Sequence, residues 1–189
     1  MSVRKQIHQT QGQFFITFTC HLWLDLFEIT DCYNFIYEQF DMLKAEGHYV
    51  VGYVIMPNHI HVIIDFSPTV KDINRRIGTM KRFIGYEIVR RLQCKNDHRT
   101  LQMLANGVAV EERKKGKLYQ VFRPSFDIKY CYEPWFTEQK LGYIHNNPCK
   151  GRNPLSSKPE RYLHSSASFY FTGKTGLYEV THFMDRRNN

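Results

Sequence analysis

No stretch of the sequence approaches the roughly 20 consecutive apolar residues that a membrane-spanning helix requires. The amino end, MSVRKQIHQTQGQFF, lacks an apolar segment followed by a small-residue cleavage site, which a signal peptide would carry. Internal repeats and low-complexity segments are absent as well. These absences argue against a spanning protein and a repeat array, and we expect a soluble protein of the cytoplasm.

Cysteine is scarce, and no two cysteines form a C-x-x-C pair. The five present are an odd number and are spread along the chain, which argues against a disulfide framework and against a zinc ribbon. We expect ordinary reduced thiols, most of them buried. They are Cys20, Cys32, Cys94, Cys131 and Cys149.

The length and composition favour one compact domain. The chain has 189 residues, of which 42% are hydrophobic and 15% aromatic, enough for a packed core. Pro, Gly and Ser accumulate after the last predicted helix. We therefore predict a single domain over residues 1–189, with an irregular carboxyl-terminal tail from about residue 148.

The charge is strongly unbalanced towards the basic side. Lys and Arg number 26 against 18 Asp and Glu, which gives a formal net charge of +8. Clusters of Lys and Arg neutralise phosphates and release counterions on binding, so an anionic partner is favoured and nucleic acid is the first choice.

Hydrophobic periodicity predicts the order β-α-β-β-α-β-α. Alternating or β-branched runs predict strands over residues 13–20, 49–56, 59–66 and 118–132. Apolar residues at helical spacing predict helices over 31–47, with Asp31 as cap, over 70–94 and over 133–147. The polar stretch 95–117 is expected to be a weakly ordered surface excursion. This order is typical of an α+β fold with a ferredoxin-like antiparallel sheet and helices packed on one face.

Two histidines stand at alternate positions of the third predicted strand. Because successive side chains of a strand point to opposite faces, His59 and His61 project together while Ile60 points away. Two adjacent imidazoles form half of a metal site. The alternative is that both are polar side chains on a half-exposed strand.

The last predicted helix carries a second pair. Tyr143 and Asn147 are four residues apart and therefore lie one turn from each other on the same helical face. An amide oxygen could complete a three-ligand set, with the phenol beside the metal. In the alternative interpretation Tyr143 is a core residue and Asn147 caps the helix before Pro148.

Four sequence blocks connect these residues. FFITFTCH, GYVIMPNHIHVII, LGYIHNNP and YLHSSASFY occur in this order between about residues 13 and 171. They resemble the blocks of the single-tyrosine transposases in the His-hydrophobic-His nuclease superfamily, and more closely those of the REP-associated tyrosine transposases. The similarity covers most of the chain.

The resemblance implies a role for each residue of the blocks. His59 and His61 would bind a divalent metal, Mg²⁺ or Mn²⁺, and Tyr143 would be the nucleophile. Asn147 would be the third metal ligand, where the insertion-sequence branch of the family has Gln. The implied activity is cleavage and rejoining of single-stranded or hairpin DNA through a 5′-phosphotyrosine. A homodimer and a monomer are both compatible with the resemblance.

Basic residues outside these blocks are candidates for phosphate contacts. They occur on the helix predicted over 70–94 and in the charged run that follows it, and the alternative is a solvated outer face. The candidates are Arg75, Arg76, Lys81, Arg82, Arg113, Lys114 and Lys115. Aromatic side chains could also stack on unpaired bases, although most would fill the core. Those considered are Phe122, Tyr130, Tyr132 and Trp135.

Two other functions fit parts of the sequence. A non-catalytic ferredoxin-like module could bind nucleic acid with aromatics on its sheet, but it would have no use for the histidine pair. A metal-dependent hydrolase could use water as its nucleophile, with Tyr143 only positioning that water. Formation of a covalent protein–DNA adduct separates these alternatives from a tyrosine transposase.

Overall fold

The computed structural model describes residues 9–124 and 127–186. Residues 1–8, on which the expectation about a leader peptide partly depends, lie outside the described residues. Residues 125 and 126, which fall within the predicted strand 118–132, lie outside them as well. Among the described helices, none combines the length and apolar character that crossing a membrane would require.

Four strands form one antiparallel sheet in the order β2-β3-β1-β4. They are β1 (Gly12–Thr19), β2 (Tyr49–Met56), β3 (His59–Phe66) and β4 (Asp127–Tyr130). The link between β2 and β3 is the two-residue turn Pro57 and Asn58, which makes them a β-hairpin. The order, with helical crossovers between β1 and β2 and between β3 and β4, confirms the predicted ferredoxin-like α+β fold.

Seven α-helices accompany the sheet in the described part of the chain. They are α1 (Leu26–Thr30), α2 (Tyr33–Ala45), α3 (Ile73–Cys94), α4 (His98–Asn106), α5 (Val110–Lys114), α6 (Pro134–His145) and α7 (Ala167–Thr172). Short 3-10 turns occupy His21–Trp23, Asn147–Cys149 and Pro159–Arg161.

The main core lies between one face of the sheet and helices α2 and α3. Phe14, Ile16 and Phe18 alternate along β1 and are buried against this layer, as the period of a strand requires. Helix α3 buries apolar residues at intervals of three and four, and the Asp72 side chain accepts a hydrogen bond from the Arg75 backbone N–H at its start. The predicted helix 70–94 is confirmed from Ile73 onwards.

The opposite face of the sheet carries α6. Phe15, Val54 and Ile63 point to the face of the sheet opposite the main core. They form a second buried cluster with Leu141 and Ile144 of α6. The predicted packing of helices on one face of the sheet is therefore found for α2 and α3. Helix α6 packs in addition on the other face. The reason is that β2 and β3 carry buried apolar residues on both faces, so each face of the sheet needs a cover.

The stretch 95–117 differs from the expected weakly ordered loop, because it contains α4 and α5. Leu101 and Leu104 are buried in the main core, and Asp97 accepts a hydrogen bond from the Thr100 backbone N–H. The buried side of α4 carries only two leucines beside Thr100, so its apolar periodicity is short and lies among polar neighbours.

Two local predictions are corrected. Asp31 does not cap α2: it ends α1 in the left-handed conformation, with φ of 50°, and Cys32 precedes α2. The extended segment predicted over 118–132 is shorter than expected. Its described part contains β4 and an isolated bridge between Phe122 and Cys20. Strand β4 ends at Tyr130, and the residues from Cys131 onwards connect it to α6.

The carboxyl-terminal segment packs along the outer edge of β2. The Ile55 N–H donates to the His164 carbonyl at 2.8 Å, and the Ser166 N–H donates to the Tyr53 carbonyl at 3.0 Å. The Tyr162 hydroxyl donates to the Ile55 carbonyl at 2.9 Å. These bonds cover an edge strand that would otherwise expose unpaired backbone groups.

Candidate functional site

The histidine pair, His59 and His61, lies on the face of the sheet that α6 covers. Both belong to β3, opposite Thr19 and Thr17 of β1, and their ring centroids are 4.8 Å apart. The predicted alternation is therefore present, because Ile60 between them is buried in the main core on the other face.

Asn58 sets the orientation of the His59 ring. The Asn58 Nδ2 donates to Asp25 Oδ1 at 2.7 Å and to the Trp23 carbonyl at 3.3 Å, so its Oδ1 is the atom that faces His59. This Oδ1 lies 2.7 Å from His59 Nδ1, which must carry the proton. The His59 Nε2 then keeps its lone pair, in the arrangement that outer partners impose on metal-binding histidines.

His61 is more deeply enclosed than His59. Its Nδ1 lies 2.6 Å from Thr17 Oγ1, and its ring stacks on Phe15 with 5.6 Å between centroids. Burial, with a smaller contribution from His59, lowers the pKa of His61 to about 3. Burial also lowers the pKa of His59. Both imidazoles are therefore neutral at pH 7, which is the form that binds metals.

Tyr143 and Asn147 reach the histidine pair from α6 and the turn after it. The Tyr143 ring stands edge-on to the His61 ring at 5.0 Å, and its side chain is 43% exposed. The Asn147 Oδ1 lies 3.2 Å from His59 Nε2. Because α6 ends at His145, Asn147 belongs to the 3-10 turn Asn147–Cys149 and not to the helix predicted over 133–147.

These atoms form a donor set for a cation. The proton of His59 is on Nδ1, so its Nε2 is an acceptor. The Asn147 oxygen, 3.2 Å from this Nε2, is also an acceptor, and no hydrogen lies between the two atoms. Within residues 9–124 and 127–186 there is no group of three or more His, Cys, Asp or Glu side chains placed to hold a metal. A metal here would take two imidazoles, one amide oxygen and ligands from substrate or water, which suits Mn²⁺ and admits Mg²⁺.

The four residues open into a cleft of about 620 Å³. Its walls come from β1, β3, β4 and α6, from the turns after β1 and after α6, and from the loop before β4. They are Phe15, Thr17, Thr19, Trp23, His59, His61, Arg123, Asp127, Lys129, Lys140, Tyr143 and Asn147. Lys150 adds a further cation, because its Nζ lies 5.1 Å from the centre of the Tyr143 ring. Four positive charges therefore surround the tyrosine and the histidine pair.

The cations predicted for phosphate binding are not the ones found here. None of the seven lies among the cleft residues that the described part of the chain provides. Arg75, Arg76, Lys81 and Arg82 lie on α3, which packs on the opposite face of the sheet. Arg113, Lys114 and Lys115 lie on or directly after α5.

Four of these seven cations already have partners within the protein, among them Lys115, whose Nζ lies 3.5 Å from Glu112 Oε1. Arg76 Nε donates to Glu46 Oε2 at 2.5 Å, and Lys81 Nζ donates to the Arg123 carbonyl at 2.7 Å. Arg113 donates to the Ala105 carbonyl at 2.9 Å. Their role in DNA binding stays a prediction that concerns surfaces outside the cleft.

The sequence contained a signal for one of the missed cations. Lys140 lies three residues before Tyr143 and so shares its helical face, which helical spacing alone indicates. The position of Lys129 depends on the register between β4 and β1, which places it directly opposite Phe15. Arg123 lies in an irregular segment, and no periodicity could have located it.

The aromatic residues considered for stacking are also placed elsewhere. Phe122 is buried in the main core, and Tyr130, Tyr132 and Trp135 are exposed without lining the cleft. Besides Tyr143, the exposed aromatic side chain among the described cleft residues is Trp23, which the sequence did not single out.

Comparison with solved structures gives an independent result on the fold. The chain is similar to a REP-associated tyrosine transposase solved in complex with a REP hairpin, with a TM-score of 0.60 and 15% identity, over 97% of this chain and 93% of that one. A candidate transposase of Deinococcus radiodurans R1 aligns at a TM-score of 0.38 and 15% identity, over 77% of this chain and 96% of that one. No family model and no curated protein sequence matches the chain. The resemblance in the four sequence blocks is thus matched by a shared fold.

Proposed function

We propose that this protein is a metal-dependent transposase-type nuclease of the REP-associated tyrosine transposase family, which cleaves and rejoins hairpin-bearing single-stranded DNA. One observation carries the proposal. The His59 Nε2 and the Asn147 oxygen face each other as two acceptors at 3.2 Å, beside His61 and an exposed tyrosine in a basic cleft. The fold shared with a transposase bound to a REP hairpin supports the same conclusion.

His59, His61 and Asn147 would hold the divalent ion, Mg²⁺ or Mn²⁺. The fit rests on the tautomer that Asn58 imposes, which leaves a nitrogen lone pair opposite an amide oxygen. When bound, the ion would withdraw charge from a non-bridging phosphate oxygen and stabilise the charge that develops during attack.

The chain's own side chains would do the remaining work. Lys140, Lys150, Lys129 and Arg123 would hold the DNA backbone over the cleft, because their charges surround it. Tyr143 would supply the nucleophile, and its position on α6 against a packed sheet would keep its hydroxyl in place.

The chemistry is an exchange of one ester for another. The Tyr143 oxygen would form a bond to phosphorus while the bond from phosphorus to the 3′-oxygen breaks, leaving a 5′-phosphotyrosine and a free 3′-hydroxyl. The proton lost by the phenol is balanced by the proton gained by the departing oxygen. In the reverse direction a 3′-hydroxyl would attack the phosphotyrosine and rejoin the strand without a nucleotide cofactor.

A monomer would suffice for this site. His59, His61, Tyr143 and Asn147 come together within one chain, so no residue has to be supplied by a second copy. A homodimer would remain compatible with the proposal if it left the cleft open.

The proposal is tested by trapping the covalent intermediate. A pool of single-stranded oligonucleotides, each with a hairpin and randomised flanks, is incubated with the protein and Mn²⁺ and then separated under denaturing conditions. We expect a 3′-end label to move with the protein, because Tyr143 would remain on the 5′ phosphate of the downstream fragment. A 5′-end label should give a free fragment ending in a 3′-hydroxyl.

Matched tyrosine variants make the test specific. Tyr143→Phe should abolish the adduct, whereas Tyr86→Phe, an exposed tyrosine on α3, should leave it unchanged. DNA binding without cleavage would favour the non-catalytic module. Cleavage that persists in Tyr143→Phe without an adduct would favour the hydrolase that uses water.

A further inference from the structure

The turn after β1 has an unusual backbone beside the cleft. Leu22 and Trp23 have φ values of 54° and 58°, so two consecutive residues with side chains adopt the left-handed region. This region is strained for bulky L-residues, and such strain persists where the surrounding structure fixes it, often at functional sites. Neither side chain is part of a buried core, since both are more than half exposed.

Trp23 projects at the edge of the histidine pair. Its ring lies edge-on to the His59 ring with 5.7 Å between centroids, and it is 54% exposed. The Arg123 guanidinium carbon lies 6.0 Å from the centre of the Trp23 ring. At the entrance to the cleft, a cation therefore lies over one face of a large aromatic ring that is still more than half exposed.

Several backbone bonds hold this turn in place. The Trp23 carbonyl accepts from Asn58 Nδ2, the same amide that orients His59. The Trp23 N–H donates to the Cys20 carbonyl at 3.2 Å, and the Arg123 N–H donates to the Thr19 carbonyl at 2.9 Å. These bonds fix the backbones of Trp23 and Arg123 relative to the strands that carry the histidine pair.

We propose that Trp23, flanked by Arg123, is a stacking platform for one unpaired base next to the phosphate held at His59, His61 and Tyr143. The inference rests on the proposed function and adds a residue that positions the substrate. Aromatic rings stack on any base, and a neighbouring arginine contributes a cation–π and a phosphate contact. Stacking on Trp23 requires an unpaired base but does not distinguish one base from another, so any sequence preference would come from other contacts.

The sequence provides a direct probe, because Trp23 and Trp135 are its two tryptophans. In a protein carrying Trp135→Phe and Tyr143→Phe, the remaining tryptophan fluorescence comes from Trp23, and no cleavage disturbs the titration. Single-stranded hairpin oligonucleotides are added with an abasic site moved along the unpaired flank. We expect quenching on binding, and loss of quenching when the abasic site occupies one particular position.

Substitutions give the second readout in otherwise native protein. Trp23→Ala should weaken binding of the hairpin oligonucleotide about 5- to 150-fold, the range for loss of one stacked base. Trp23→Phe should recover much of that loss. Trp135→Ala, which removes the other exposed tryptophan away from the cleft, should bind as the native protein does.

The outcomes separate this inference from the function it rests on. If fluorescence anisotropy shows binding but Trp23 is not quenched, or Trp23→Ala and Trp135→Ala bind equally well, the stacking platform is wrong. The adduct assay still decides the nuclease activity in that case. If no oligonucleotide binds at all, both proposals are overturned.

Discussion

The amide of Asn58 links three features at the scale of single residues. It accepts from His59 and donates to Asp25 and to the Trp23 carbonyl. One side chain at the β2–β3 turn therefore sets the tautomer of His59 and the position of the neighbouring turn. This explains why the asparagine of MPNHIH matters to the site, although it contacts no substrate in the proposal.

The two adjacent asparagines after α6 allow a matched test of the metal site. Asn147→Ala removes the oxygen beside His59 Nε2, so we expect Mn²⁺ affinity to fall at least about tenfold, since even outer-shell losses cost that much. Asn146→Ala should retain affinity, because Asn146 is exposed and donates to the Gly142 carbonyl. Isothermal titration with Mn²⁺ measures both. Equal affinities in the two variants would remove Asn147 from the ligand set.

The residues brought together by the structure were predictable to different degrees. Strand alternation placed His59 and His61 on one face, because it is a local regularity. Helical spacing predicted that Tyr143 and Asn147 lie close together, but α6 ends at His145 and Asn147 reaches the site from the turn that follows. Lys129 was not predictable, since it depends on which residue of β4 lies opposite Phe15. Trp23 was not predictable either, because a turn of two left-handed residues without glycine has no sequence signature.

At the scale of elements, the position of α6 depends on a glycine in β2. A Cβ built on Gly52 would lie 2.3 Å from Leu141 Cδ2, so α6 packs where a side chain would stand. Leu141 is itself buried in the second cluster, so its side chain could yield only by shifting its packed neighbours. Gly52 thus sets the depth at which the helix that carries Tyr143 rests on the sheet.

Gly52→Ala should therefore displace α6 and reduce adduct formation. We expect a loss of about 1–3 kcal/mol in the free energy of unfolding, the usual cost of overpacking a core. Gly78→Ala is the control, because it lies within α3 with no atom in the way and should be neutral or stabilising by about 0.5–1 kcal/mol. Urea unfolding and the adduct assay check both variants. A native adduct yield in Gly52→Ala would contradict the role of this contact.

The elements themselves were predicted where hydrophobic periodicity is strong. Strands 49–56 and 59–66 match β2 and β3, because each is a continuous apolar or alternating run. Helix α4 was missed because Leu101 and Leu104 are few among polar residues, and its stability comes from packing on α3. The packing of α6 on the second face depends on residues from several strands, so it could not be predicted from the sequence of any one segment.

At the scale of the whole molecule, the carboxyl-terminal segment connects the sheet edge to the helix that carries Tyr143. The Ser166 hydroxyl accepts from the Tyr53 N–H at 2.9 Å, and it lies 2.9 Å from His145 Nε2 on α6. All three residues are buried. The segment therefore joins β2 to α6 at a point two residues from Tyr143, so global stability and the geometry of the site are coupled.

This junction should make stability sensitive to acid. Burial lowers the pKa of His145 from 6.5 to about 4. Between pH 6.5 and pH 4, His145 is therefore protonated in the unfolded chain and neutral in the folded protein. Stability present above pH 6.5 is then lost as the pH falls towards 4, by on the order of 3 kcal/mol for the full shift. His145→Gln can still bond to Ser166 but does not titrate. In urea unfolding at successive pH values, the free energy of the native protein should fall relative to that of His145→Gln across this window. Curves that stay parallel from pH 7 to pH 4 would show that His145 does not carry the effect, because the other buried histidines are common to both proteins.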